Sequence, residues 1–419
     1  MLQSLIDCFF FRVHNQPYSF FNEDIFRRKL AENLLPDYLL FAVLVSALRF
    51  SNDPYFDNER HEAATGYARE SWKHLVSTWF APECDPNIHI CQAITLLSIF
   101  DYTTGRKHPA WLKIGLSIRI AQDLRLMVEP DPGLCFREQE ERRRTFWSIY
   151  ILDKLCSCGR NRPASILEAH CRVQLPCGEE NFRNGEWEET LTLEQALGAG
   201  KTLAANVGPL ALVVLTASIL GRCAQHSIHE QSREQDRLPP WDSKSEFAAI
   251  YSLLLQLETQ FEMGSSIKTI FTEDCLRNEV IDMQVAGPFV FSHALFHTAQ
   301  CLLHHPFLLH NQLKARAVKA PLSFLARAFQ TCRENAISLS VLIDDTNNAG
   351  YPVYFSFMGY CAVVATGIHM LYLRDEDATL RRKAINSFQS GMSFLEEFSN
   401  YWKNGKTMVC TSSCTFGQY

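Results

Sequence analysis

The chain has 419 residues, 47% of them hydrophobic and 12% aromatic, with 29 phenylalanines, enough to fill a sizeable core and to exclude a disordered chain. Its 40 Lys and Arg against 46 Asp and Glu leave a net charge of −6, against the basic balance of a domain that grips DNA by itself. The 15 cysteines are scattered singly, several in apolar helical stretches (Cys8, Cys91, Cys301, Cys361), and there is no Asn-x-Ser/Thr site, a pattern that fits the cytosol or nucleus better than secretion.

Leu2, Leu5, Ile6, Phe9, Phe10 and Val13 recur at helical spacing and predict an amphipathic first helix, stopped by Asn15-Gln16-Pro17. The N-terminus carries Asp7 and no basic run, so it does not read as a signal peptide. Pro36 opens a helix that runs to Phe50 and is apolar nearly all round, as a core helix is. Further helices are predicted over Arg60–Phe80, from Pro86 to Tyr102 with Gly105 behind it, and from Pro109 to Leu126. Glu129 to Cys135, with two prolines and a glycine, reads as a loop.

After the central segment, Gly178 to Thr190 is acidic and turn-rich and reads as a loop. Leu203 to Leu220 is the best membrane-span candidate, but Asn206, Gly208 and Pro209 interrupt it and a buried helix fits better. His226 to Ser245 has the composition of an exposed connector. Helices resume through Leu253–Phe261, His293–Leu309, Pro321–Ile343, Tyr354–Leu373 and Ala378–Trp402, followed by a polar tail with Cys410 and Cys414. No segment alternates with a period of two, and no helical repeat recurs. The expected fold is an all-α bundle of roughly 12–18 helices without significant sheet.

The stretch from Glu138 to Pro163, EQEERRRTFWSIYILDKLCSCGRNRP, is the most informative. Arg137 with Glu141, Glu138 with Arg142, and Glu140 with Arg144 stand at i, i+4, the pattern of a solvated helix start whose pairs each add about 0.2–0.5 kcal/mol. Arg143 belongs to the same run. Phe146, Trp147 and Tyr150 centre the apolar part of the helix, and Asp153 shares the face of Phe146, Ile149 and Tyr150. An unpaired carboxylate there would cost several kcal/mol, so Asp153 is expected to pair with Arg160 or Arg162, just past the helix end. Gly159 suits a left-handed helix terminus, and Pro163 closes the turn.

This segment resembles the signature of the fungal-specific transcription factor domain, the central regulatory domain of fungal two-zinc, six-cysteine cluster regulators. The resemblance rests on the Glu/Arg run, Phe146-Trp147, the helix ending at Asp153, a Gly-Arg-Pro turn stretched here to Gly159-Arg160-Asn161-Arg162-Pro163, and then Ile166 and Leu175-Pro176. Upstream, His108 to Leu126 is similar to the helix that precedes the signature, and Cys301 to Leu309 is similar to a later helix-to-turn element. It implies an arrangement with the N-terminal part at residues 1–225 and its signature at 138–176. A connector at 226–246, a C-terminal helical part at 247–403 and a polar tail at 404–419 would complete it. It also implies nuclear control of transcription, often of a metabolic or biosynthetic gene set. The partners to expect are other regulators or the transcription machinery, a second copy of the chain, and a small-molecule inducer.

One departure is large. The family's DNA reader uses clustered Cys-x-x-Cys pairs, which tetrahedral zinc requires, and no Cys-x-x-Cys occurs here. The chain starts directly at the regulatory region, so neither a zinc cluster nor a DNA reader of its own is expected. Other motifs carry less. Asp344-Asp345 lacks the second acidic motif of a magnesium site. His293, His297, His304 and His305 sit among core-like residues, and His61-Glu62 does not continue into a zinc-protease motif. No catalytic residue, cofactor or metal is assigned. A stand-alone interaction protein that pairs with a full-length regulator and dampens it is the alternative reading.

Overall fold

The computed structural model describes all residues except 57–58, 80–85, 160–161, 199–206, 230–237, 266–270, 272–274, 278–279, 352–354 and 417–419. The chain forms two compact units. The first comprises residues 1–153, 165–214 and 277–288, the second 154–164, 215–276 and 289–419.

In the first unit the helices run α1 (Leu2–Arg12), α2 (Glu23–Ala31), α3 (Asp37–Leu48), α4 (Arg60–Trp79), α5 (Ile88–Thr103) and α6 (Lys107–Asp123). Then come α7 (Phe136–Cys156), the short α8 (Glu179–Asn184) and α9 (Leu193–Leu197), and the beginning of α10 (Pro209–Ala224). Pro36 occupies the N-cap of α3, as its missing N–H allows, and Leu39, Ala42, Val43, Val45 and Leu48 are buried. α3 packs against α1, α4 and α5, and α5 in turn against α6, which explains why α3 and α5 are apolar nearly all round. Each fully buried Leu, Ile or Phe side chain there contributes about 1.5–3 kcal/mol. Gly105, at φ 87°, ends α5, as its lack of a Cβ permits.

Two elements depart from the sequence expectation. α2 went unrecognised although Asn22-Glu23-Asp24 marks its start: the Asn22 side chain accepts the Ile25 amide, and both acids sit in the first turn. The stretch from Gly178 to Thr190, expected as a loop, contains α8, which ends at Gly185 with φ 77°. The strands among the described residues are two-residue pieces, Leu276–Arg277 paired with Val280–Ile281, and the fold class is all-α.

The second unit holds the rest of α10, which continues as a π-helical turn over Gln225–His229, and α11 (Glu246–Phe261), whose N-cap Ser245 accepts the Ala248 amide. It continues with most of α12 (Met283–Leu303), then α13 (Pro306–Ala315), α14 (Leu322–Asn348), α15 (Met358–Met370), α16 (Ala378–Tyr401) and α17 (Lys403–Phe416). The polar stretch from residue 404 is thus helical as far as Phe416. Among the described residues one segment, Pro209–Ile228, is long and apolar enough to cross a membrane by length and composition, and its most apolar stretch is 72% buried within the protein.

His293, His297 and His304 of this unit are core residues with hydrogen-bond partners. His297 Nδ1 lies 2.8 Å from Asn335 Oδ1, His304 Nδ1 3.0 Å from the Gln300 carbonyl, and His293 Nδ1 2.9 Å from the Phe289 carbonyl. Asp344 and Asp345 sit in the closing turns of α14, where the Ser390 hydroxyl donates to Asp344.

Candidate functional site

Glu138 in the charged run at the start of α7 is exposed, but much of the run does not face water. Glu140, Glu141, Arg143 and Arg144 are all buried, and Arg144 is completely enclosed. Of the three i, i+4 pairs expected, Glu140 with Arg144 forms, Nε to Oε1 at 3.0 Å. The solvated-helix expectation fails because two irregular segments, around residues 14–22 and 171–182, dock over the run and take its side chains as hydrogen-bond partners. Buried loop backbone needs such partners.

Both segments are held by α7. Arg144 donates to Ser19 Oγ at 3.1 Å, to the Cys177 carbonyl at 3.1 Å and to Glu179 Oε2 at 2.6 Å, with its guanidinium 4.0 Å from the centre of the Phe182 ring. Glu140 Oε1 also accepts the Cys177 amide at 3.0 Å. Ser148 Oγ donates to the Ser19 carbonyl and accepts the Ser19 amide. Arg143 pairs with Glu129 at 2.7 Å and Glu140 at 3.5 Å, and Arg142 donates to the Leu124 carbonyl. Arg137 donates to the carbonyls of Arg183 and Asn184, and its guanidinium lies against Gly185, whose positive φ favours glycine and where a Cβ would displace that guanidinium.

The aromatic part of α7 is buried as expected. Phe146 and Trp147 meet edge to face at 5.0 Å, as do Trp147 and Tyr150 at 5.3 Å. Trp147 Nε1 donates to the Gln174 carbonyl at 2.6 Å, fastening the same 171–182 segment. Asp153 is fully buried, and its carboxylate accepts the amides of Ser165 at 3.0 Å and Ile166 at 2.9 Å. Its expected partner Arg160 lies outside the described residues. Arg162 is half-buried and Pro163 exposed. Gly159 is exposed and does not take a positive φ, contrary to expectation: α7 closes earlier, through tight bonds from Ser157 to Lys154 and from Cys158 to Leu155, so no left-handed residue is needed.

From Arg144 the network runs outward with alternating sign. Glu179 accepts from Asn15 Nδ2 at 2.7 Å and from Arg183 Nε at 3.1 Å. Arg183 continues to Asp282 and to Gln284 Oε1 at 2.8 Å, and Gln284 Nε2 donates to the Phe10 carbonyl. Burial alone would push the Glu179 carboxyl up, but Arg144, Arg183 and His14 outweigh it and hold it below its ordinary value. Burial likewise works against the Arg144 charge, yet Glu179 and Glu140 keep it firmly protonated. His14, buried beside them, is lowered to about 4, mainly by burial.

The network reaches the surface at a cleft of about 300 Å3 between α1, α2 and residues 280–284, where Arg183, Asp282 and Gln284 form one wall. Sequence reasoning missed Ser19, Glu179, Arg183, Asp282 and Gln284. Gly178-Glu179-Glu180 carries a weak helix-start signal, but nothing in it points 35 residues back to Arg144. Among the described residues no three His, Cys, Asp or Glu side chains are grouped to hold a metal ion. Chemically the arrangement is a polar clamp: each charge is stabilised by neighbours of opposite sign, and displacing one leaves the next unpaired in a buried setting.

Comparison with known proteins gives a consistent picture. A family model described as the fungal specific transcription factor domain matches residues 6–262, which contain all of α7 and the 171–182 segment. The Zn(2)-C6 fungal-type transcription factor FTF1c of Fusarium oxysporum f. sp. lycopersici is 24% identical over 421 residues, covering 96% of this chain and 44% of its own length. Two uncharacterised transcriptional regulatory proteins of Schizosaccharomyces pombe also match. One is 24% identical over 70% of this chain and 31% of its own length, the other 22% identical over 100% and 64%. The chain thus spans less than half the length of the Fusarium relative.

Proposed function

The chain belongs to the fungal specific transcription factor domain family, and from that premise we propose that it is the regulatory, effector or inhibitory, part of a transcription regulator of fungal type. It acts in the nucleus on a metabolic or biosynthetic gene set, makes no sequence-specific DNA contact itself, and reaches DNA through a zinc-cluster module outside this chain or through a partner. It performs no catalysis.

The observation that carries this reading is the buried clamp on α7. Glu140, Arg144, Glu179, Arg183 and Asp282 tie the helix that bears the family signature to two irregular segments and to a surface cleft. A buried polar network of this kind has few intermediate states: its members are either paired or severely penalised. That is the property a helical bundle needs if it is to switch between two packings under the bias of a ligand or partner protein. The partners in this reading are other regulators, the transcription machinery, a second copy of the chain, or an inducer.

Fusing the chain between a heterologous DNA-binding domain and an activation domain tests it in a yeast reporter strain. The wild-type fusion should hold the reporter low. Glu179→Gln and Arg183→Lys, which loosen the clamp while keeping hydrogen bonds, should raise it several-fold, with circular dichroism confirming helicity. A reporter equally active with the wild-type chain, with either variant and with no chain at all would sink the proposal. The alternative is an interaction protein that pairs with a full-length regulator and dampens it. Co-precipitation with such a regulator, and reporter loss on co-expression, distinguish it.

A further inference from the structure

The geometry points to a second role for the surface cleft: a binding site for a small organic cation, an ammonium group carried on an apolar or aromatic body. The cleft encloses about 300 Å3, at the lower end of sites that take small molecules. One side of it is apolar in a way that water does not favour. Phe11 and Val280 both line it and are each 60% exposed, beside the buried ring of Phe10.

The other side is charged, with an excess of one negative charge: Asp7, Glu23 and Asp282 against Arg27 and Arg183. Arg27 engages one oxygen of each neighbouring acid, Asp7 Oδ1 at 2.7 Å and Glu23 Oε1 at 2.7 Å. Asp7 Oδ2 and Glu23 Oε2 are left without a protein donor among the described residues. An anionic guest would add to the excess charge and a neutral one would leave it. An ammonium group cancels it and can donate to the two oxygens, which otherwise face water from side chains 56% and 38% exposed. Arg12, 4.9 Å from the centre of the Phe11 ring, does not line the cleft.

A second, smaller cavity of about 130 Å3 adjoins the cleft and shares Glu23, Arg183 and Gln284 with it. It is lined by His14, which is 2% exposed. His14 Nε2 accepts the Phe21 amide at 3.2 Å, so in the neutral ring the proton sits on Nδ1, and Nδ1 has no partner. An unfilled donor thus lies behind the wall that Arg183 and Gln284 form, outside the cleft itself. Occupation of the cleft would act on Arg183 and through it on Glu179 and Arg144, a consequence that rests on the regulatory reading above; the binding itself does not.

Calorimetric titration of the purified chain with 2-phenylethylamine, 2-phenylethanol and 3-phenylpropionate tests the site. The amine should bind about tenfold or more tightly than the alcohol, and the acid should not bind. Phe11→Ser and Glu23→Gln, both at partly exposed positions, should each weaken the amine about tenfold while leaving the urea midpoint unchanged. An amine no tighter than the alcohol, or an affinity that survives both substitutions, would overturn the assignment. Because no reporter is involved, failure here leaves the regulatory proposal standing, and failure of the reporter assay leaves the binding site standing.

Discussion

Arg144 Nη1 and Glu179 Oε2 lie 2.6 Å apart, both almost entirely shielded from water and separated by 35 residues of chain. The pair converts a run of charges at the start of α7 into a tie between that helix and the segment that folds back over it. Because Arg144 also meets Glu140, Ser19 and the Cys177 carbonyl, no single neighbour replaces it.

Replacement of Arg144 by Met keeps the volume but strands two carboxylates. The expected loss is about 3–5 kcal/mol in urea denaturation, the range for breaking a buried pair from one side. Removing the acids as well, in a Glu140→Gln, Arg144→Met, Glu179→Gln triple variant, should recover part of that loss. A triple variant as unstable as the sum of the three single changes would argue against a coupled network.

Acid should weaken the fold through its buried imidazoles, offset in part by Glu141, whose carboxyl burial raises and which therefore acts with the opposite sign. His14, His297, His304 and His369 are buried, and burial lowers each of them from an ordinary 6.5 to about 4. Between those values the unfolded chain binds protons that the folded chain refuses. Stability is therefore full above about pH 6.5 and falls as pH drops toward 4, by at most about 1.4 kcal/mol per pH unit for each ring. Glu179, held below its ordinary value, adds a loss of the same sign that starts lower, below about 4.5. Urea midpoints at pH 7.5, 6.5 and 5.5 check this, and His14→Gln should flatten the slope over the lower step. Equal midpoints at all three values would rule it out.

Asp153 supplies a graded test. Asp153→Ala strands the Ser165 and Ile166 amides, and with hydrogen bonds to a charged group worth about 1.5–3 kcal/mol the loss should be roughly 3 kcal/mol or more. Asp153→Asn keeps one acceptor oxygen and should lose about half as much. The Ala variant losing less than about 0.5 kcal/mol would show that the carboxylate does not hold the 165–166 turn.

The thiols should divide by exposure. Cys135 and Cys410 are exposed, whereas Cys91, Cys223 and Cys361 are buried and burial pushes their thiols up, to about 12 for Cys91 and Cys361. Iodoacetamide on the native protein should label Cys135 and Cys410 within minutes and the three buried thiols only after denaturant is added, read by peptide mass analysis. Prompt native labelling of Cys361 would contradict the packing of the second unit.

What the sequence by itself determined was local. The 3.6-residue period placed the helices, Pro36 set the start of α3, Gly105 the stop of α5, and the Phe146, Trp147 and Tyr150 cluster marked the buried length of α7. Each of these depends on neighbours within a turn or two, which is where helical propensity and capping act. The tertiary structure decided the rest. Glu140 and Arg144 stand at the same spacing whether they face water or a docked segment, and burial of a charge depends on what folds over it. Ser19, Glu179 and Asp282 join Arg144 from distant parts of the chain, and no local pattern records that meeting. Gly159 looked like a left-handed helix end, but the bonds closing the turn at Ser157 and Cys158 made one unnecessary, a choice set by hydrogen-bond geometry rather than by residue type.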